Sequence, residues 1–249
     1  ENPAKGLPTV QGAMMVYEPD MGGLSAIIDS RLVTEIKTAS DSTLGARLLA
    51  RPDSKRLLIV GAGVVAESLI HAYTAIFPRL EHVLVWARRP EQAQALLKRM
   101  TGIKAKLSVA EDLATTAASA DIISSATMAR TPVLKGEWIT PGTHVDLIGA
   151  FKADMREADN ALISSGSLFV DSRDTTLHHI GELMIPLAAG IINESDIKGD
   201  FYDLIASGTT ARKSDDEITV FKNGGGAHLD LMIADYISGA VARKSSPKT

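Results

Sequence analysis

The chain has 249 residues, 45% of them hydrophobic, with a formal net charge of −4 and no cysteine. That length suits one large α/β domain, or one domain with part of a second. An acidic balance without a basic run excludes nucleic acid as an expected partner. The missing cysteines exclude disulfides and thiolate metal sites and suit the cytoplasm as a compartment. No apolar stretch reaches the ~18 residues of a membrane span, and no signal peptide is visible.

The opening ENPAKGLPTVQG carries neither Met nor an element start, and suggests that an N-terminal segment is missing ahead of Glu1. Residues 8–29 predict a β-hairpin, with PTVQGAMMVY and LSAIID flanking the turn-rich EPDMGG. Ser30 to Ala50 predicts a helix, ended by Arg51-Pro52-Asp53-Ser54. From Arg56 the pattern alternates. Strands are expected at 57–60, 82–87, 105–109, 121–127, 143–150, 168–172 and 217–222. Helices are expected at 65–77, 91–100, 112–118, 155–165 and within 174–189. Several strands are almost wholly apolar, as strands covered on both faces should be. The expected fold is therefore α/β, a Rossmann-type doubly wound and mainly parallel sheet with a second, smaller domain truncated at its N-terminus. Asn223 to Gly226 break the last strand from a final helix, His228 to Arg243, expected to return onto the hairpin. The expected division is 1–43, 44–223 for the dinucleotide-binding domain, and 224–249. Only the SSPKT tail looks disordered.

Residues 59–70, IVGAGVVAESLI, carry the most information. A short apolar strand leads into G-x-G-x-x-A and then into an apolar-periodic helix. Gly61 permits the tight turn, Gly63 lets the backbone approach a pyrophosphate, and Ala66 lets helix and strand pack closely. The free N–H groups and positive dipole at Val64 and Val65 favour phosphate. The second strand should end in an acid where NAD is bound; it ends instead in Ala87-Arg88-Arg89. A guanidinium suits a 2′-phosphate, so NADP(H) is the preferred cofactor and NAD(H) the alternative.

Together with GLPTVQG (6–12), IKTASDSTLGARLLARPDS (36–54), ADIISSAT (120–127), PGTHVDLIGAFKADMREAD (141–159) and VFKNGGGAHLDL (220–231), this stretch resembles the ornithine cyclodeaminase/mu-crystallin family. The resemblance implies a homodimer built through the hairpin region. It also implies a substrate/dimerisation role for the smaller domain, and substrate-contacting lysine and arginine residues ahead of Glu1. The implied activity is NAD(P)H-dependent reduction of a small cyclic imino acid, Δ1-pyrroline-2-carboxylate or Δ1-piperideine-2-carboxylate, to L-proline or L-pipecolate. The alternatives are ornithine cyclodeaminase, with recycled NAD and loss of ammonia, and a non-catalytic NADPH-binding crystallin.

Two positions depart from the family pattern. Lys37-Thr38 stands where the family has Arg-Thr, so Lys37 is either the holder of the substrate carboxylate or an exposed helix lysine. Phe151 stands where the cyclodeaminase branch has its acid–base aspartate; GAFKADMRE looks instead like the ketimine reductase branch. Asp154 to Glu157 also reads as a capping box, with Asp154 retained as a second catalytic candidate beside Lys37. The expected cofactor set is Thr38, Gly61, Gly63, Val64, Val65, Arg88, Arg89, Ala126, Thr127, Ile148, Asn223 and Gly225. Thr127 is placed beside the nicotinamide, Asn223 and Gly225 around its ribose. His71, His82 and His144 look isolated, and His178 and His179 look like a helix end, so no metal is expected.

Overall fold

The computed structural model describes Lys5, Leu7 and residues 11–208 and 211–245. Pro8 to Val10 of the expected first strand, and Ser246 to Thr249 of the tail, lie outside these. Contacts divide the chain into Glu1–Thr38 with Gly226–Thr249, and Ala39–Gly225.

The first unit begins with the hairpin. Strands β1 (Ala13–Tyr17) and β2 (Leu24–Asp29) pair antiparallel, with Met15 opposite Ile27 and Met14 opposite Ile28. Side chains alternate across a strand, so Val16 and Ile28 turn inward while Met15, Tyr17 and Ile27 face outward. Helix α1 (Ser30–Leu49) follows and runs into the second unit.

The second unit alternates strand and helix: β3 (Arg56–Val60), α2 (Val64–Ile76), β4 (His82–Trp86), α3 (Pro90–Arg99), β5 (Lys106–Val109), α4 (Leu113–Ala118), β6 (Ile122–Ser125) and β7 (His144–Leu147). It continues with α5 (Asn160–Ser165), β8 (Ser167–Val170), α6 (Arg173–Thr176), α7 (Gly181–Ala188), β9 (Ile197–Gly199), α8 (Phe201–Ser207) and β10 (Thr219–Lys222). The eight strands lie in the order β5-β4-β3-β6-β7-β10-β8-β9, every pair parallel. The apolar runs have their reason here. Leu57 and Ile59 of β3 enter one core cluster, Leu58 and Val60 another, because both faces are covered. Each such buried aliphatic side chain contributes about 1.5–3 kcal/mol. The chain then returns to the first unit as α9 (Ala227–Ser245), where Ala234 packs with Val16, Ile28 and Val33.

Three expectations change. The helix expected over 155–165 begins only at Asn160, under an Asp159 cap that accepts from Leu162 N at 2.8 Å. The helix sought within 174–189 is split into α6 and α7 by a turn at 177–180. The pair β9 and α8 was not expected. Its signal is a capping box, in which Asp200 accepts from Asp203 N and Asp203 from Asp200 N, both at 3.2 Å.

Strand β3 has β4 on one side and β6 on the other, so successive connections leave it in opposite directions. A crevice opens at such a reversal, at the strands' carboxyl ends, and is where open α/β sheets take ligands.

Candidate functional site

At the crevice, β3 ends in Gly61, whose φ of 119° excludes ordinary side chains. A Cβ there would also stand 2.7 Å from the carbonyl of Ala126. Gly63 caps α2 without any side-chain hydrogen bond, and a Cβ on it would meet nothing within 4 Å. Val64 is exposed, Val65 half-buried, and Ala66 is sealed into the core. A bare helix N-terminus beside open ground is a cradle for an anion, and the residues fit a dinucleotide pyrophosphate. Next to it, β4 is followed by buried Ala87 and then by exposed Arg88 and Arg89. Among the described residues neither arginine forms an ion pair.

The ends of β6 and β7 are joined by Glu157, which is fully buried. Its Oε1 accepts from Ser125 Oγ at 2.6 Å, Thr127 N at 2.7 Å and Thr127 Oγ1 at 2.8 Å. Its Oε2 accepts from the N–H groups of Gly149 and Ala150. Burial pushes this carboxyl up, while Lys222, Ser125 and Thr127 pull it back. Five donors with no acceptor suit the carboxylate form. Glu182 supports it from behind and is itself pushed up to about 7 by burial and by the charge of Glu157. Ile148 joins the core through its side chain and presents its carbonyl to Lys222 at 3.3 Å.

The end of β10 is built on buried charge as well. Lys222 Nζ donates to the carbonyls of Asn223 at 2.7 Å and Leu147 at 3.0 Å. Burial lowers its affinity for the proton, and Glu157, Glu182, Asp171 and Asp146 oppose that. Asn223 donates from Nδ2 to Ser42 Oγ at 2.9 Å, and Ser42 donates to Asp146 at 3.2 Å. Asp146 also accepts from Tyr73 and Ser124, and burial pushes it up to about 6. Asp171 accepts from Gly224 N at 2.9 Å and Gly225 N at 2.6 Å, which shapes the glycine turn from below. Gly225 has a φ of 70°, so the turn needs a glycine there.

Lys37 and Thr38 lie in α1 within the first unit. Lys37 is half-buried and pairs with Asp230 of α9 at 3.3 Å, and Thr38 is buried. Asp154 is exposed and caps no helix. Its carboxylate takes a hydrogen bond from Arg130 Nε at 2.7 Å, which holds it below the usual range. The capping box expected at Asp154 is therefore corrected, because the N–H groups it needs are taken elsewhere. Arg156 N donates to Ala129 O, and Glu157 N and Ala158 N donate to Glu182. The sheet edge thus gathers Gly61, Gly63, Val64, Val65, Ala126, Thr127, Ile148, Asn223 and Gly225, with Arg88 and Arg89 at the neighbouring strand. His144 is buried against Thr219 and driven down to about 3 by burial, hence neutral. Among the described residues no three His, Cys, Asp or Glu side chains group as metal ligands, and no helix is long and apolar enough to cross a membrane.

The ornithine cyclodeaminase/mu-crystallin family model matches residues 1–245. The chain belongs to that family. It is 65% identical over 241 residues to a Δ1-pyrroline-2-carboxylate reductase of Paracoccus denitrificans, covering 97% of this chain and 76% of the relative. Among solved structures, the Thermococcus litoralis Δ1-pyrroline-2-carboxylate reductase in complex with NADH and L-proline superposes with a TM-score of 0.94 at 30% identity, over 100% of this chain and 77% of that one. An archaeal alanine dehydrogenase dimer with bound NAD superposes at 0.88, with 28% identity over 99% and 76% of the two chains.

Asp146, Glu157, Asp171, Glu182 and Lys222 were not expected in the site. For Asp146 and Lys222 a signal exists. Each is a charge within a short strand or at its end, HVDL and TVFK, beside the apolar residues Val145 and Leu147 or Val220 and Phe221, and buried charges are rare unless paired.

Proposed function

We propose that the chain reduces a small cyclic imino acid, Δ1-pyrroline-2-carboxylate or Δ1-piperideine-2-carboxylate, to L-proline or L-pipecolate with a nicotinamide cofactor. One observation carries this reading: 65% identity, along 97% of the chain, to a reductase of the first of these imines. The bare N-terminus of α2 and the open ground at Gly63 support the cofactor assignment. When bound, NAD(P)H supplies the hydride that reduces the C=N carbon.

The chain's own part is to bind and orient. The turn at Gly61 and Gly63 holds the pyrophosphate. Arg88 and Arg89 receive the 2′-phosphate and favour NADP(H), while the two solved relatives hold NADH or NAD. Lys37 holds the substrate carboxylate. A protonated imine is already an electrophile, so alignment and charge complementarity lower the barrier and no strong general base is needed. Phe151, exposed where the cyclodeaminase branch keeps its acid–base group, supports a reductase over that lyase. The outward face of the hairpin, with Met15, Tyr17 and Ile27, supports a homodimer.

The reading is tested by incubating the full-length protein with NADPH, then NADH, and each cyclic imine, and separately with NAD and L-ornithine, while following nicotinamide absorbance and ammonia. Net cofactor oxidation without ammonia is expected. Ammonia released from ornithine without net oxidation overturns it in favour of the lyase, and no turnover with any imine overturns it altogether.

A further inference from the structure

One buried side chain ties the loops after β6 and β7 together, and the proposed reaction gives it no direct part. Glu157 takes Ser125 and Thr127 on one oxygen and Gly149 and Ala150 on the other. The two loops are in contact: a Cβ on Gly149 would fall 1.8 Å from the carbonyl of Thr127. Nothing but glycine allows that approach, and nothing but an acceptor with two oxygens satisfies both loops at once.

We propose that Glu157 is a positioning residue for the nicotinamide end of the bound dinucleotide, acting through Thr127 and Gly149. This rests on the nucleotide reading above. The orientation follows from sheet order. The pyrophosphate cradle follows β3, and the two arginines follow β4, on one side of it. An extended dinucleotide whose adenosine end lies toward β4 must run its other end over β6 and β7, the strands that Glu157 clamps. The chemistry of Thr127 agrees. Its hydroxyl hydrogen is committed to Glu157, so its remaining lone pairs can only accept. The amide N–H of a nicotinamide carboxamide is the donor it would receive.

The test separates the two ends of the cofactor. Affinities for NADPH and for its fragment 2′-phospho-ADP-ribose, which lacks the nicotinamide, are measured by titration on wild type and Glu157→Gln. A glutamine keeps the shape but turns its amide N–H₂ on one loop's N–H donors, which cannot reverse. Loss of charged hydrogen bonds of this kind should make NADPH binding weaker by about tenfold or more, with the fragment's affinity unchanged. Equal loss for both ligands, or no loss for either, overturns the inference. A wild type that binds neither of these ligands is titrated with NADH and ADP-ribose, which then take their places in the comparison, and a wild type that binds none of the four overturns the nucleotide reading instead. Should Glu157→Gln be insoluble, Ser125→Ala decides. Ser125 is buried and its hydroxyl touches the clamp through Glu157. It should weaken NADPH binding several-fold and spare the fragment, and an unchanged ratio of affinities overturns the proposal.

Discussion

The backbone N–H of Glu157 donates to Oε2 of Glu182 at 2.7 Å, and the next N–H, of Ala158, donates to Oε1 of the same carboxyl at 2.9 Å. One side chain from α7 thereby takes the donors that would have begun a helix at Asp154. It keeps residues 155–158 out of a helix, and the carboxylate of Glu157 turns instead to Ser125, Thr127, Gly149 and Ala150. The position of the clamp is set by a residue 25 positions further along the chain.

That arrangement makes stability depend on pH. Glu182 is raised from 4.5 to about 7 by burial and by the neighbouring Glu157. The folded state thus binds this proton more tightly than the unfolded chain. The contribution is fully present below pH 4.5 and is lost as pH rises through about 7. Asp146, raised from 3.8 to about 6, acts with the same sign in a lower window. Urea unfolding of wild type and Glu182→Gln across this range should show wild type losing stability relative to the variant as pH rises, by up to about 3 kcal/mol. A difference that stays constant with pH would remove Glu182 as the cause.

The two glycines of the phosphate turn should respond differently. A methyl group at Gly61 meets the Ala126 carbonyl at 2.7 Å under a φ of 119°. Gly61→Ala should therefore cost on the order of 1–3 kcal/mol of stability. At Gly63 the φ is −82° and the space is open. Gly63→Ala should change thermal stability by less than about 1 kcal/mol, the scale of an N-cap change. It should still weaken NADPH binding, because the methyl occupies ground left for phosphate. Melting curves and NADPH titrations on both variants check the contrast, and equal destabilisation would count against it.

What was legible in the sequence was local. GAGVVA works through a turn and the helix it opens, within about a dozen residues, so its reading needed no distant partner. The runs at 57–60 and 82–87 carry their burial in their composition. The remainder depended on residues far apart. Asp171 shapes Gly224 and Gly225 from 53 and 54 positions away, and Asn223 is held by Ser42 across 181. Asp154 and Glu157 match a capping box letter for letter, yet Glu182 outcompetes the helix. No local pattern records that competition.

Cofactor choice should follow Arg88. It is exposed at the carboxyl end of β4, with no acidic residue at the strand tip to engage a ribose 2′-hydroxyl. Arg88→Asp should cost NADPH about 1.5–3 kcal/mol of binding, the range for hydrogen bonds to charged groups, and should spare or improve NADH. Equal affinities for the two cofactors in wild type and variant alike would defeat this reading of the arginine.

Assembly should depend on one face of the hairpin. Ile27 stands opposite Met15, and both are outward, Ile27 at 65% exposure. Ile28, the next residue, is 8% exposed and packs with Val16, Val33 and Ala234. The two-residue period of a strand separates the faces, so neighbouring substitutions report on different events. Ile27→Asp should leave the melting temperature nearly unchanged and shift the protein from dimer to monomer. It places a charge where two apolar faces would meet. Ile28→Asp should instead destabilise the first unit, since an unpaired carboxylate enters an apolar cluster. Light scattering at micromolar concentration, read beside thermal unfolding, tells these apart. A wild-type protein that is monomeric under these conditions, or an Ile27→Asp variant that remains dimeric, would show that this face does not carry the assembly.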